Sequence, residues 1–184
     1  MVLRFLLQEA PGIGRIKLAK FAYLADLEAR KYLGQPITHF NYVYDQQGPF
    51  DARPFYDALE ELEQRGLVSQ SQVPLGQYLG YEIHPTQNVV EYDFDVAEAE
   101  VLSYVARTYL AKNAQDLCED VVYQTLPMLQ AKPGRPLPMD VVNGKPGDYL
   151  TFDLKRMIAG EAQAKAGQTR PLADVLGELR ARHH

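Results

Sequence analysis

The helix read over Arg15 to Leu33 constrains this chain more than any other feature, because its apolar residues cover two faces instead of one. Ile16, Ala19, Tyr23 and Leu27 recur at helical spacing, and Leu18, Ala22, Ala25 and Tyr32 fill a second face. A helix that is apolar on two sides must be packed on two sides, so this segment is expected at the centre of the fold. Gly34 closes it, since glycine accepts the left-handed backbone at a helix C-terminus. Ile37 to Tyr44 is β-branched and aromatic and predicts a short strand. The QQGPFD corner follows, where Pro49 fixes its own φ and pushes Gly48 out of the helical region.

Asp51 is the expected N-cap of the next helix, with Pro54 in its first turn and Phe55, Leu59 and Leu62 as the buried stripe up to Gly66. Two strands, Leu67 to Val73 and Tyr78 to His84, surround a Pro74-Leu75-Gly76 turn, and a third is expected at Val89 to Phe94. Asp95 and Glu98 have the spacing of a capping box, with Leu102, Val105 and Tyr109 continuing along one face. Asn113 caps a further helix that turns Leu117 and Val121 inward. Prolines 127, 133, 136, 138 and 146 exclude regular structure up to Gly147, leaving a loop wrapped on the domain or a functional element. Helices are expected again at 152 to 164 and from Pro171, where Leu172, Val175, Leu176 and Leu179 share a stripe. The fold class is therefore α+β, mainly α-helical: a helical core with a small antiparallel β-hairpin or sheet, winged-helix-like over residues 53 to 84. One domain is read over 1–150 and a C-terminal helical extension over 151–184.

With 184 residues, the chain is long enough for one sizeable core. A net charge of -5 tells against broad contact with nucleic acid, which depends on neutralising many phosphates. The single cysteine, Cys118, allows no internal disulfide and fits a reducing cytoplasm. The N-terminal apolar run is too short for a signal peptide, and no stretch approaches the roughly 20 apolar residues of a membrane span.

Motifs for chemistry are few. Pro11-Gly12-Ile13-Gly14 before a helix resembles the way helix-hairpin-helix modules offer backbone N–H groups to phosphate, but Leu18 stands where a small residue is needed and no second basic hairpin follows. A tight turn is the simpler reading. In the winged-helix reading the recognition helix would be Arg53 to Arg65, whose Asp57, Glu60, Glu61 and Glu63 would face phosphates. Cys118 with His39 or His84 would make a nucleophile and base, yet Cys118 sits at a core-facing helical position. The carboxylates Asp93, Asp95, Glu98 and Glu100 lack histidine partners for a metal and are read as capping and solvated groups. No enzyme, cofactor or metal site is expected.

Aromatic residues remain. There are twelve tyrosines and no tryptophan, and Tyr42, Tyr44, Phe50, Phe55 and Tyr56 crowd the Gly-Pro corner. Tyrosine buries large area at low rotamer entropy and is common at interface hot spots, so a set of these rings is expected to face outward.

KLAKFAYLAD, then Gly34-Gln35-Pro36, FNYVYDQQGPF and LEELEQRGLV, resembles the Panacea domain of the SocA-like antitoxin family over residues 15 to about 130. Lys17, Leu18, Lys20, Tyr23 and Ala25 match the first motif, and Gly48 and Pro49 the second. Where members often carry a histidine and then a Pro-Trp pair, this chain has Tyr123, Pro127 and Met128. The resemblance implies a mostly helical fold and a type II antitoxin that neutralises a cognate protein toxin encoded nearby, in a bacterial or phage operon and with a place in phage defence. On this reading Tyr42, Tyr44, Gly48, Pro49, Phe50 and Phe55 form the toxin-binding surface, and the helix from Pro171 either reaches onto the partner or docks at home. An interface of about 1,200 to 2,000 Å² is expected, with the acidic balance steering a basic toxin surface. Homo-oligomerisation stays open. The alternative is a DNA-binding regulator of winged-helix or helix-hairpin-helix type.

Overall fold

A computed structural model of the chain describes residues 1–45, 48–76, 78–86 and 92–142. The elements run α1 (Val2–Glu9), α2 (Arg15–Tyr32), α3 (Ala52–Gln64), β1 (Val68–Leu75), β2 (Tyr78–Pro85), α4 (Val96–Tyr109), α5 (Ala114–Asp120) and α6 (Leu126–Leu129), with 3-10 turns at Val122–Gln124 and Met139–Val142. The mainly helical α+β class is as expected. The helices read at 152 to 164 and from Pro171, and the C-terminal extension they belong to, lie outside the described residues.

Helix α2 is the axis of the core. Every residue from Leu18 to Ala29 is buried, and the helix packs against α1, α4, α5 and the hairpin. Ile16, read as part of the first apolar face, is instead exposed. Helix α1 had no counterpart in the sequence reading. Its Leu3, Leu6 and Leu7 enter the core at helical spacing. Arg4 goes in with them and donates to the Tyr92 hydroxyl at 2.9 Å.

Local signals placed the other helices well. In α4, Asp95 accepts from the Glu98 N–H while Glu98 accepts from the Asp95 N–H, a complete capping box. Asn113 accepts from the Asp116 N–H and starts α5. In α3, Phe55, Leu59 and Leu62 form the buried stripe, as expected. Asp51 makes no capping bond there, because its carboxylate accepts from the Asn41 N–H at 2.8 Å instead.

Strands β1 and β2 form an antiparallel hairpin from Val68↔Pro85 out to Leu75↔Tyr78. Pro74 lies within β1 opposite Leu79, so the turn falls at Gly76 (φ +61°) and beyond, later than its sequence position implied. Val68 and Ile83 are buried at the hairpin base, whereas Leu75 and Leu79 project at the far end. Ile37 to Tyr44 forms no strand. Only Val43 pairs, in isolated bridges to Phe50 and Pro136. The proline-rich connection is not free of regular structure, since α6 takes Pro127 into its first turn and a 3-10 turn follows at Met139–Val142. As far as residue 142 it lies on the domain, with Leu137 N–H bonding the Tyr42 carbonyl at 2.8 Å and Leu137, Met139 and Val142 buried. Tyr92 to Phe94 carry no strand, and 87–91 lie outside the described residues.

Candidate functional site

Helix α2 carries three buried charges. Glu28 is paired with Lys31 at 2.8 Å, and Lys20 and Asp26 each organise part of the segment that follows the helix. Asp26 is 0% exposed. One carboxylate oxygen accepts from the Ile37 and Thr38 N–H groups, both at 2.8 Å. The other accepts from the Tyr42 hydroxyl at 2.9 Å and from the Thr38 hydroxyl. Burial pushes the Asp26 carboxyl above its ordinary pKa, and these donors act against that push. Tyr42 is drawn inward by this bond and stacks edge to face on Tyr23, with ring centroids 5.2 Å apart. Burial first, and the Asp26 charge second, hold its phenol well above the usual range.

These contacts overturn part of the expected surface. Tyr42 is 3% exposed and Phe55 1%, so both rings belong to the core, Tyr42 through its hydroxyl and Phe55 through the α3 stripe. Gly48 and Pro49 are buried too. Tyr44 and Phe50 are half-buried, and Phe50 meets Phe55 and Tyr56 edge-on at 5.2 and 5.6 Å.

The Gly48-Pro49 corner roofs Lys20. The Pro49 carbonyl accepts from Lys20 Nζ at 3.2 Å, and Gly48 sits at φ +91° where a Cβ would meet Lys20 Cε and Nζ at 3.1 Å. The positive φ is what favours glycine there, and a Cβ would in addition press on the end of the Lys20 side chain. Burial pulls the Lys20 pKa down to about 8, while Cys118 and Asp45 pull it upward. A cavity of about 50 Å³ opens beside Lys20, lined also by Arg15, Asp45, Phe50 and Tyr56.

Next to this cavity lies a groove of about 520 Å³ between the turn leading into α2 and the outer half of the hairpin. Ile16, Tyr56, Leu75 and Leu79 line it and are 45%, 46%, 61% and 68% exposed. Four large apolar side chains gathered on one groove differ from scattered surface leucines, and such gatherings mark binding surfaces. Ile16, Leu75 and Leu79 are not marked as a surface by any local pattern; the signal the sequence offers is a pair of leucines, Leu75 and Leu79, flanking a turn glycine. Arg15 and Lys17 give the groove a cationic edge. The Arg15 guanidinium lies 3.5 Å over the Tyr81 ring and donates through Nε to Gln70 at 2.8 Å.

The competing chemistries fare poorly at their own residues. In the PGIG turn, the Gly12 N–H bonds the Ile83 carbonyl at 2.9 Å and the Ile13 carbonyl accepts from the Ile83 N–H at 3.2 Å. That turn is stitched to the hairpin. The outward face of α3 is acidic, with Asp57, Glu60, Glu61 and Glu63 all exposed. Cys118 is buried and burial pushes its thiol up, while His39 and His84 are exposed. Among the described residues no group of three or more His, Cys, Asp or Glu side chains is placed to hold a metal, and no helix is long and apolar enough to cross a membrane.

Residues 18–124, more than half of the chain, match the family described as antitoxin SocA-like, Panacea domain. Neither the curated proteins nor the solved structures gave a match.

Proposed function

The chain belongs to the SocA-like antitoxin family with a Panacea domain, and on that premise we propose that it binds a cognate protein toxin and neutralises it by covering the toxin's active surface. The observation that carries this reading is the exposed apolar groove of Ile16, Tyr56, Leu75 and Leu79. A stable complex covers about 800 Å² on each partner, more than the groove alone, so the half-buried Phe50 and Tyr44 extend the contact on the α2 side. The acidic outer face of α3 lies beside it and would speed encounter with a basic toxin surface. A DNA-binding role has less support, since the PGIG amide of Gly12 is already bonded and the α3 surface repels phosphate.

The test is co-purification with the product of the adjacent gene, together with rescue of cells expressing that product. Leu79→Asp is an exposed change and should alter stability by no more than about 0.5 kcal/mol. It should weaken capture about tenfold or more and lose rescue, since it places a charge in a desolvated contact. Undiminished rescue by this variant would remove the groove from the interface.

A further inference from the structure

Lys20 is 2% exposed, yet among the described residues it uses one of its three N–H bonds, on Pro49. An ammonium withdrawn from water needs partners to offset the loss of hydration, and one carbonyl is a thin replacement. Its neighbours do not complete the set. Among the described residues Asp45 is the one carboxylate on the cavity lining; it sits exposed at the rim, and Lys20 remains below its ordinary pKa in spite of it.

The cavity beside Lys20 has the size and walls of a receptor for one small anionic group. One water needs about 10–15 Å³ of such space, so about 50 Å³ accepts a group of three heavy atoms. Arg15 reaches the same cavity, its plane fixed by Tyr81 and its Nε held by Gln70, which leaves the outer guanidinium edge for a planar two-oxygen ligand. Phe50 and Tyr56 supply apolar walls that suit a methylene stem. Asp45 at the rim disfavours a doubly charged phosphate more than a single carboxylate.

We propose that this pocket receives the carboxylate of an Asp or Glu side chain presented by the toxin, clamped between Lys20 and Arg15 with its stem against Phe50 and Tyr56. This rests on the neutralisation reading. An acidic anchor entering a cationic socket, beside an acidic α3 face that meets basic groups, fixes the register of the complex.

Two measurements separate the pocket from its occupant. Sodium acetate is titrated at constant ionic strength into the full chain carrying 13Cε-labelled lysine, with chloride as control and the Lys20 signal assigned by its loss in Lys20→Met. A saturable shift of the Lys20 signal with acetate, absent at Lys31 and Lys112 and weakened about fivefold by Arg15→Gln, is expected; no saturable shift overturns the pocket. Capture of the adjacent-gene product by Lys20→Met is expected to fall about tenfold or more, with Lys112→Met unchanged as control. An acetate shift with full capture by Lys20→Met overturns the assignment to the toxin's side chain. If the wild-type chain captures nothing while acetate still shifts Lys20, the neutralisation reading fails and the carboxylate pocket stands.

Discussion

The two ends of α2 treat a buried charge in opposite ways. Near the C-terminal end, Asp26 is met by four donors from the loop that follows, and the carboxylate holds that loop in place. Near the N-terminal end, Lys20 is met by one carbonyl, by the Phe50 ring 6.0 Å from its Nζ, and by an open cavity. A buried charge whose lone pairs are filled from within the chain is architecture, whereas one with capacity left over is a place for something from outside.

Removing each charge is the direct way to break this contrast. Asp26→Ala strands the donors of Ile37, Thr38 and Tyr42 and is expected to cost about 4 kcal/mol in chemical denaturation. Tyr42→Phe removes one donor and leaves the ring, with an expected cost of about 2 kcal/mol. Lys20→Met, by contrast, is expected to raise stability by about 1 kcal/mol at pH 7, because it removes an incompletely compensated ammonium. A loss comparable to that of Asp26→Ala would make both residues structural and erase the distinction.

A pH series sharpens the same comparison. The folded-state pKa of Lys20 is about 8 and the ordinary value is 10.5. Between these the unfolded chain holds a proton that the folded chain has released, so the lysine's contribution to stability rises with pH across that interval. The advantage of Lys20→Met should therefore be full below pH 8 and shrink as pH climbs toward 10.5. A difference that stays flat over this range would contradict the buried state of the amine.

What the sequence disclosed was mostly local. The capping pair Asp95 and Glu98, the Asn113 cap and the stripe of Phe55, Leu59 and Leu62 depend on neighbours within a turn or two, and they appear where residue spacing put them. Helix α1 is hard to read because VLRFLLQE spans only two turns, carries no N-terminal capping side chain and has the apolar look of the start of an export signal. The aromatic segment was misjudged for a different reason. Alternation assigns sides only when a strand exists, and here the side of Tyr42 is set by Asp26, sixteen residues earlier. Lys20 was legible as a motif residue but not as a buried one, since its roof arrives with Gly48 and Pro49. The groove depended on bringing Ile16 beside Leu79, which no short-range pattern encodes.

The pairing of Ile13 with Ile83 has a practical result for anyone exchanging parts among members of this family. The hairpin is not a detachable cassette, because its root shares backbone hydrogen bonds with the linker between the first two helices. A chimera cut on either side of residues 66 and 86 alone would transplant half of a joint, and the donor's Pro11 to Gly14 must travel with it.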